Sequence, residues 1–131
     1  MYGTRPGGVS PHSFGLQVTV LVPTATEADP ISTGDNLKFA TSGAYHAAPC
    51  ADGDAIQLKA LHPVKDGKTP LGCQLYGFSR IDKFVYTGAD LAIGDSIVAA
   101  GKGTVKKAAA ANGTVVLFVD TAKKIVEVAM P

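Results

Sequence analysis

The chain has 131 residues, 12 of them Lys or Arg and 11 Asp or Glu, for a formal net charge of +1. That length suits one domain that buries a sizeable core without metal or disulfide support. The balanced charge lacks the positive field that a phosphate backbone requires, and no stretch approaches the ~20 apolar residues of a membrane helix, so neither nucleic acid nor a membrane is an expected partner.

Residues 1–15 carry Gly3, Gly7, Gly8 and Gly15 with Pro6 and Pro11, which rules out a helix or a central strand. One reading is a solvated tail. The other is an extended N-terminal arm whose Tyr2, Arg5, Val9, His12 and Phe14 bind a partner, since a solvated tail has little use for aromatics. No long apolar core of an export signal occurs near the start, so a soluble, unsecreted protein is the expected default.

Residues 16–131 read as a single β-domain. Leu16 to Val22 alternates and is rich in β-branched residues, which predicts a strand with Leu16, Val18, Val20 and Val22 facing the core. Short strands are expected at 36–40, 44–47 and 55–61. The segment from Leu71 to Phe78 is apolar on both faces, with Leu71, Cys73 and Leu75 on one side and Tyr76 and Phe78 on the other, so it is central or lies at an interface. Strands at 81–87, 96–99, 104–107, 114–120 and 124–130 complete the series, with one helical turn at 89–91. No window of ten residues shows helical periodicity. The expectation is an all-β fold, a small barrel or sandwich of short antiparallel strands.

Two stretches share a plan. Setting Gly34-Asp35 over Gly94-Asp95 without a gap places Ala40 on Ala100, Gly43 on Gly103, Gly53 on Gly113 and Ile56 on Val116. Each copy runs Gly-Asp turn, short strand, Gly turn, short strand, small-residue loop, longer strand, so residues 31–60 and 91–120 are candidates for an internal repeat. The frequent glycines of any meandering β-protein are the plainer explanation.

The motifs that would carry chemistry are all incomplete. His62 to Thr69 ends like a phosphate-binding loop, yet His62 stands where glycine is required and Pro70 leads into a strand. His46, Cys50, His62 and Cys73 supply zinc-ligand atoms at spacings unlike a zinc knuckle. Asp52-Gly53-Asp54 lacks the remaining ligands of a calcium loop. Gly94 to Val98 breaks the nucleophile-elbow pattern at its last position, and no histidine has a carboxylate in its local pattern. No catalytic residue, metal or cofactor is therefore expected, and Cys50 and Cys73 read as buried thiols rather than a disulfide. Asn112-Gly113-Thr114 reads as a hairpin turn.

The run Leu91-Ala92-Ile93-Gly94-Asp95-Ser96-Ile97-Val98, then Gly103-Thr104-Val105, Gly113-Thr114-Val115-Val116 and Ile125-Val126-Glu127-Val128, resembles the decoration or cement proteins of tailed bacteriophage capsids. The resemblance covers roughly residues 31–131. It implies a non-enzymatic virion protein that binds the outer surface of an assembled shell at joints between major capsid subunits, often as a homo-trimer, with an N-terminal arm fixing it there. Residues 1–15 match such an arm in character, so Tyr2, Arg5, Val9, His12 and Phe14, with Tyr76 and Phe78, are the expected partner-binding residues. The competing reading is a glycan- or ligand-binding β-module of a phage fibre or bacterial surface protein. Stacking on sugars favours Trp, which this chain lacks, leaving Tyr45, Tyr76 and Tyr86 as substitutes.

Overall fold

The computed structural model describes residues 16–77 and 80–131. Ten strands and no helix occur among the described residues: β1 Gln17–Val20, β2 Asn36–Phe39, β3 Ala47–Pro49, β4 Leu58–Ala60, β5 Leu71–Leu75, β6 Arg80–Val85, β7 Ile97–Ala99, β8 Val105–Lys107, β9 Val115–Asp120 and β10 Ile125–Met130. Every paired strand is antiparallel, so the fold is all-β, as the alternation and turn spacing predict.

The first five strands form one sheet in the order β1-β5-β4-β2-β3. Its two edges then meet, because Leu21 N donates to Tyr45 O at 3.0 Å and Ala47 N to Leu21 O at 2.9 Å in a parallel bridge. The sheet is thereby curled into a small ring whose edge strands, β1 and β3, meet at this one bridge.

The last five strands repeat that connectivity. β6-β10-β9 is a continuous sheet and β7-β8 a hairpin. Gly94 N to Val116 O and Val116 N to Asp95 O, both 2.8 Å, join β9 to the turn before β7, and a parallel bridge from Tyr86 to Val105 joins β8 to β6. Matching bonds identify the equivalent positions. Gly34 N donates to Ala60 O and Ala60 N to Asp35 O, as Gly94 and Val116 do with Asp95; Ala40 bonds His46 as Ala100 bonds Thr104. The partner of Val116 is thus Ala60, not the Ile56 that gapless alignment pairs with it, because the first ring has longer loops after β2 and after β3.

The shared Gly-Asp turn has a local cause. Gly34 and Gly94 sit at φ 88° and 94°, where a side chain is strained. The following carboxylate closes the turn on itself: Asp35 Oδ2 accepts from Ser32 N and Asp95 Oδ2 from Ala92 N, each at 2.9 Å. The residue opening each turn, Ile31 or Leu91, is buried and anchors it in its own core.

Two hydrophobic clusters result. One gathers Val20, Val22, Ile31, Leu37, Leu58, Leu71 and Cys73 inside the first ring. The other gathers Phe84, Tyr86, Ile97, Val105, Val116, Val126 and Val128 inside the second, and adds Cys50, Ile56 and Tyr76 from the first half of the chain. Leu37, Leu58 and Leu71 are fully buried, and each contributes about 2 kcal/mol by leaving water.

Several sequence expectations shift. Leu16 is not a core residue but 52% exposed, since β1 begins one residue later and only Val20 and Val22 are fully covered. The strand expected at 44–47 lies at Ala47–Pro49, displaced by a hairpin loop in which Tyr45 takes a positive φ of 56°. The long strand at 55–61 shortens to Leu58–Ala60, because residues 51–55 leave the first ring to pair with β7: Gly53 N donates to Ala99 O and Ala99 N to Asp54 O. The helical turn expected at 89–91 does not form; the chain bends at 88–89 and continues without regular structure.

Candidate docking surface

Tyr76, expected to bind a partner, is buried within the chain's own core instead. It stands at the junction of the two rings, where its hydroxyl donates to Asp82 Oδ2 at 2.6 Å and its ring meets Phe84 with centroids 5.9 Å apart. The other expected partner residues, Tyr2, Arg5, Val9, His12, Phe14 and Phe78, lie outside the described residues.

Asp82 organises that junction. It is 3% exposed and faces Lys59 Nζ of β4 at 3.5 Å. With its amide nitrogen turned toward Asp82, Gln74 of β5 donates to Oδ2 at 2.6 Å and accepts from Arg80 at 3.2 Å. Lys59 also donates to Lys83 O at 2.6 Å and lies 4.7 Å from the Phe84 ring centroid. Burial pulls the Lys59 ammonium below its ordinary range, with Asp82 acting in the opposite direction, and burial with the adjacent Asp82 pushes the Tyr76 phenol up. A charge held this way is suited to locking two elements together, since Lys59, Gln74 and Tyr76 of the first half all reach Asp82 of the facing ring. Lys106 to Asp52 at 2.7 Å and Lys102 to Asp29 at 3.0 Å add exposed pairs across the same junction.

The remaining chemistry-bearing residues serve local structure. Gly72 N donates to His62 Nε2 at 2.9 Å, which leaves the proton on Nδ1 to donate to Pro63 O at 3.1 Å. His46 Nδ1 bonds Ser42 Oγ at 2.8 Å inside one hairpin loop. Asp66 accepts from the amides of Lys68 and Thr69, both at 2.8 Å, so the loop resembling a phosphate cradle is closed on its own carboxylate. Asn112 Oδ1 accepts from Thr114 N and Oγ1 in the expected turn. Cys50 and Cys73 are free, and burial pushes their thiols up to about 11 and about 12. Among the described residues no three His, Cys, Asp or Glu side chains gather as metal ligands would.

The outward faces of the two sheets are built differently. In β6-β10-β9 the register sets Ile81 beside Ala129 and Val115, Lys83 beside Glu127 and Phe118, and Val85 beside Ile125 and Asp120. A bulge at Glu127/Val128 adds Leu117 to this face. Val85 is 50% exposed, Val115 39% and Leu117 44%. Ile93, 74% exposed, lies in the turn whose Gly94 is bonded to β9. In the first ring the same positions of β1, β5 and β4 hold Gln17, Thr19, Gly72, Gln74 and Lys59.

Sequence reasoning that fixed on residues 71–78 missed this face. Its signal was present in Val115-Val116-Leu117-Phe118-Val119, an apolar run that leaves hydrophobic side chains on both sides of any strand. A shallow groove of about 240 Å³ at its margin, lined by Asp35, Asn36, Lys59, Val85 and Ile125, separates it from the first ring. No protein-family model and no curated protein matches the chain.

Proposed function

We propose that this protein is a non-enzymatic structural protein that binds the outer surface of an assembled phage capsid, at joints between major capsid subunits, and stabilises the shell. The observation that carries the reading is the outer face of β6-β10-β9, where exposed Val85, Val115 and Leu117 flank the Lys83/Glu127 row. Large hydrophobic side chains left exposed together on one sheet face, among charged ones, mark sites where proteins meet. The resemblance of residues 31–131 to capsid decoration proteins supplies the identity of the partner.

The mechanism is linkage. A protein that binds only the assembled lattice stabilises it by its binding free energy, and many copies multiply a small contribution each. In this reading residues 1–15, with Tyr2, Arg5, Val9, His12 and Phe14, complete the contact, and the protein works on the virion as a homo-trimer made in the host cytoplasm. Of the three tyrosines available for stacking on a sugar in the glycan-binding alternative, Tyr76 and Tyr86 are buried and Tyr45 alone is exposed, at 68%.

Co-sedimentation with assembled shells of tailed-phage major capsid protein tests the proposal. Stoichiometric occupancy is expected for the full chain. Loss of occupancy is expected on deleting residues 1–15 and for Leu117→Glu, with circular dichroism reporting an intact β-body in both. Absence of binding by the full chain, or turnover of a substrate by it, refutes the reading; undiminished occupancy of the deletion refutes the part given to residues 1–15.

A further inference from the structure

At the junction of the two rings an amine and a carboxyl face each other, largely shielded from solvent. Lys59 Nζ of β4 stands 3.5 Å from Asp82 Oδ1 of β6, with 19% and 5% of the two side chains exposed. The Phe84 ring lies beside the amine, its centroid 4.7 Å from Nζ, and Lys83 N donates to Oδ1 at 2.8 Å. The other carboxylate oxygen, Oδ2, accepts from the Tyr76 hydroxyl and from the turned Gln74 amide, both at 2.6 Å. We propose that Lys59 and Asp82 condense after folding into an intramolecular amide, which joins the two rings by a covalent bond.

The surroundings favour the neutral reactants that the condensation needs. Burial pulls the Lys59 ammonium below its ordinary range, Asp82 opposes that, and the Arg80 charge adds to it. A proton passing from Nζ to Oδ1 gives a free amine beside a carboxylic acid. The amine lone pair then forms a bond to Cγ while the carbonyl pair moves onto Oδ2, where Tyr76 and Gln74 are already placed to donate to the oxyanion. Nζ yields a second proton to Oδ1. As the pair returns from Oδ2, the Cγ–Oδ1 bond breaks and one water leaves, with nothing oxidised or reduced. The groove lined by Lys59 gives that water a way out, and the N–H left on Nζ keeps a bond to Lys83 O, which Lys59 already meets at 2.6 Å.

Two effects drive the reaction forward. Groups fixed by one fold react at effective molarities of roughly 10⁵ M or more, which overcomes the reluctance of a free amine and acid to condense in water. The fold also holds two charges away from water, a cost that the ion pair only partly offsets and that a neutral amide does not carry. Lys106 and Asp52 come closer, at 2.7 Å, but Asp52 is 70% exposed and water keeps both charged, so that pair stays an ion pair. Newly folded chains carry the Lys59–Asp82 ion pair, and the bond replaces it afterwards. The inference rests on the junction alone and stands whether or not the chain binds a shell.

Intact-mass spectrometry of the purified full chain, followed with time at neutral pH, tests it. The mass should settle below the sequence mass by one water, and trypsin should release a branched peptide joining residues 39–65, uncut at Lys59, to residues 81–83. Lys59→Arg should keep its full sequence mass, with circular dichroism reporting an intact β-body. Tyr76→Phe removes one donor to Oδ2 and should slow the loss of water by roughly a hundredfold. A full sequence mass that persists in the aged chain overturns the inference and leaves an ordinary ion pair. So does a lost water that maps to Asp52-Gly53 or Asp66-Gly67 as a succinimide, or one that Lys59→Arg loses as well. An unchanged rate in Tyr76→Phe overturns the part given to Tyr76.

Discussion

The two rings share one connectivity but differ in what they show to the outside. The first turns Lys59 of β4 and Gln74 of β5 toward Asp82 of the second and leaves only Gln17 and Thr19 of β1 exposed, whereas the second presents Val85, Val115 and Leu117 on β6-β10-β9. Since the inward faces of both are apolar, the ring itself demands only half of each strand's side chains. What the other half does is free to diverge, so one ring uses part of its outward face to join the two rings and the other leaves Val85, Val115 and Leu117 exposed.

The sharpest way to break the comparison is at the junction that makes one body of two rings. Asp82→Ala leaves the Tyr76 hydroxyl and the Gln74 amide buried without their acceptor, and Lys59 without its counter-charge; a loss of about 3 kcal/mol is expected, read from urea unfolding. A biphasic curve would show the rings separating before either melts.

Next come equivalent positions in the two cores. The bonds that match Ala60 with Val116 also match Leu58 with Thr114. Leu58→Ala should cost about 3 kcal/mol through the cavity it opens in the first ring. Thr114→Ala should cost about 1.5 kcal/mol, because Thr114 Oγ1 accepts from Ile97 N at 2.9 Å and closes the second ring where the first uses backbone. Hydrogen exchange should show each loss first in its own ring.

Alkaline titration gives a smaller, graded effect. Folding holds the Cys50 and Cys73 thiols neutral, at about 11 and about 12 against an ordinary 9.0, chiefly through burial, and it raises the Tyr76 phenol as well. Above pH 9 the unfolded chain releases protons that the folded chain keeps, so stability is complete below that pH and falls as it rises through 11 to 12. Lys59 opposes this, its lowered value making the folded chain release first and adding stability up to its ordinary 10.5. Three groups outweigh one, so the urea midpoint should be lower at pH 11 than at pH 8; a higher midpoint would contradict the burial of the thiols.

The smallest effects on folding belong to the outer faces. Thr19→Glu and Leu117→Glu should each change stability by no more than about 0.5 kcal/mol. Only Leu117→Glu should abolish shell occupancy, which sharpens the comparison to function alone.

How much of this was legible follows from range. The alternation of Ile125 to Met130 and the glycine turns at Gly34 and Gly94 act within a few residues, and those elements stand where the sequence places them. The candidate docking face was half legible. The apolar run Val115 to Val119 is plain, but which of its side chains turn outward depends on the bulge opposite Glu127/Val128, a pairing with another strand. Tyr76 illustrates the reverse case: its aromatic ring next to an apolar strand looked available, and the Asp82 carboxylate that takes its proton donor comes from the next ring.

From its sequence alone this protein is a chain of short strands and tight turns, nearly neutral in charge, because periodicity and turn chemistry are properties of neighbouring residues. Only the tertiary structure decided that the edges of each ring meet, that Ala60 and not Ile56 answers Val116, and that one outer face leaves Val85, Val115 and Leu117 exposed. Ring closure and exposure are set by bonds between residues far apart in the chain, and loops of unequal length hide that correspondence from any reading of spacing.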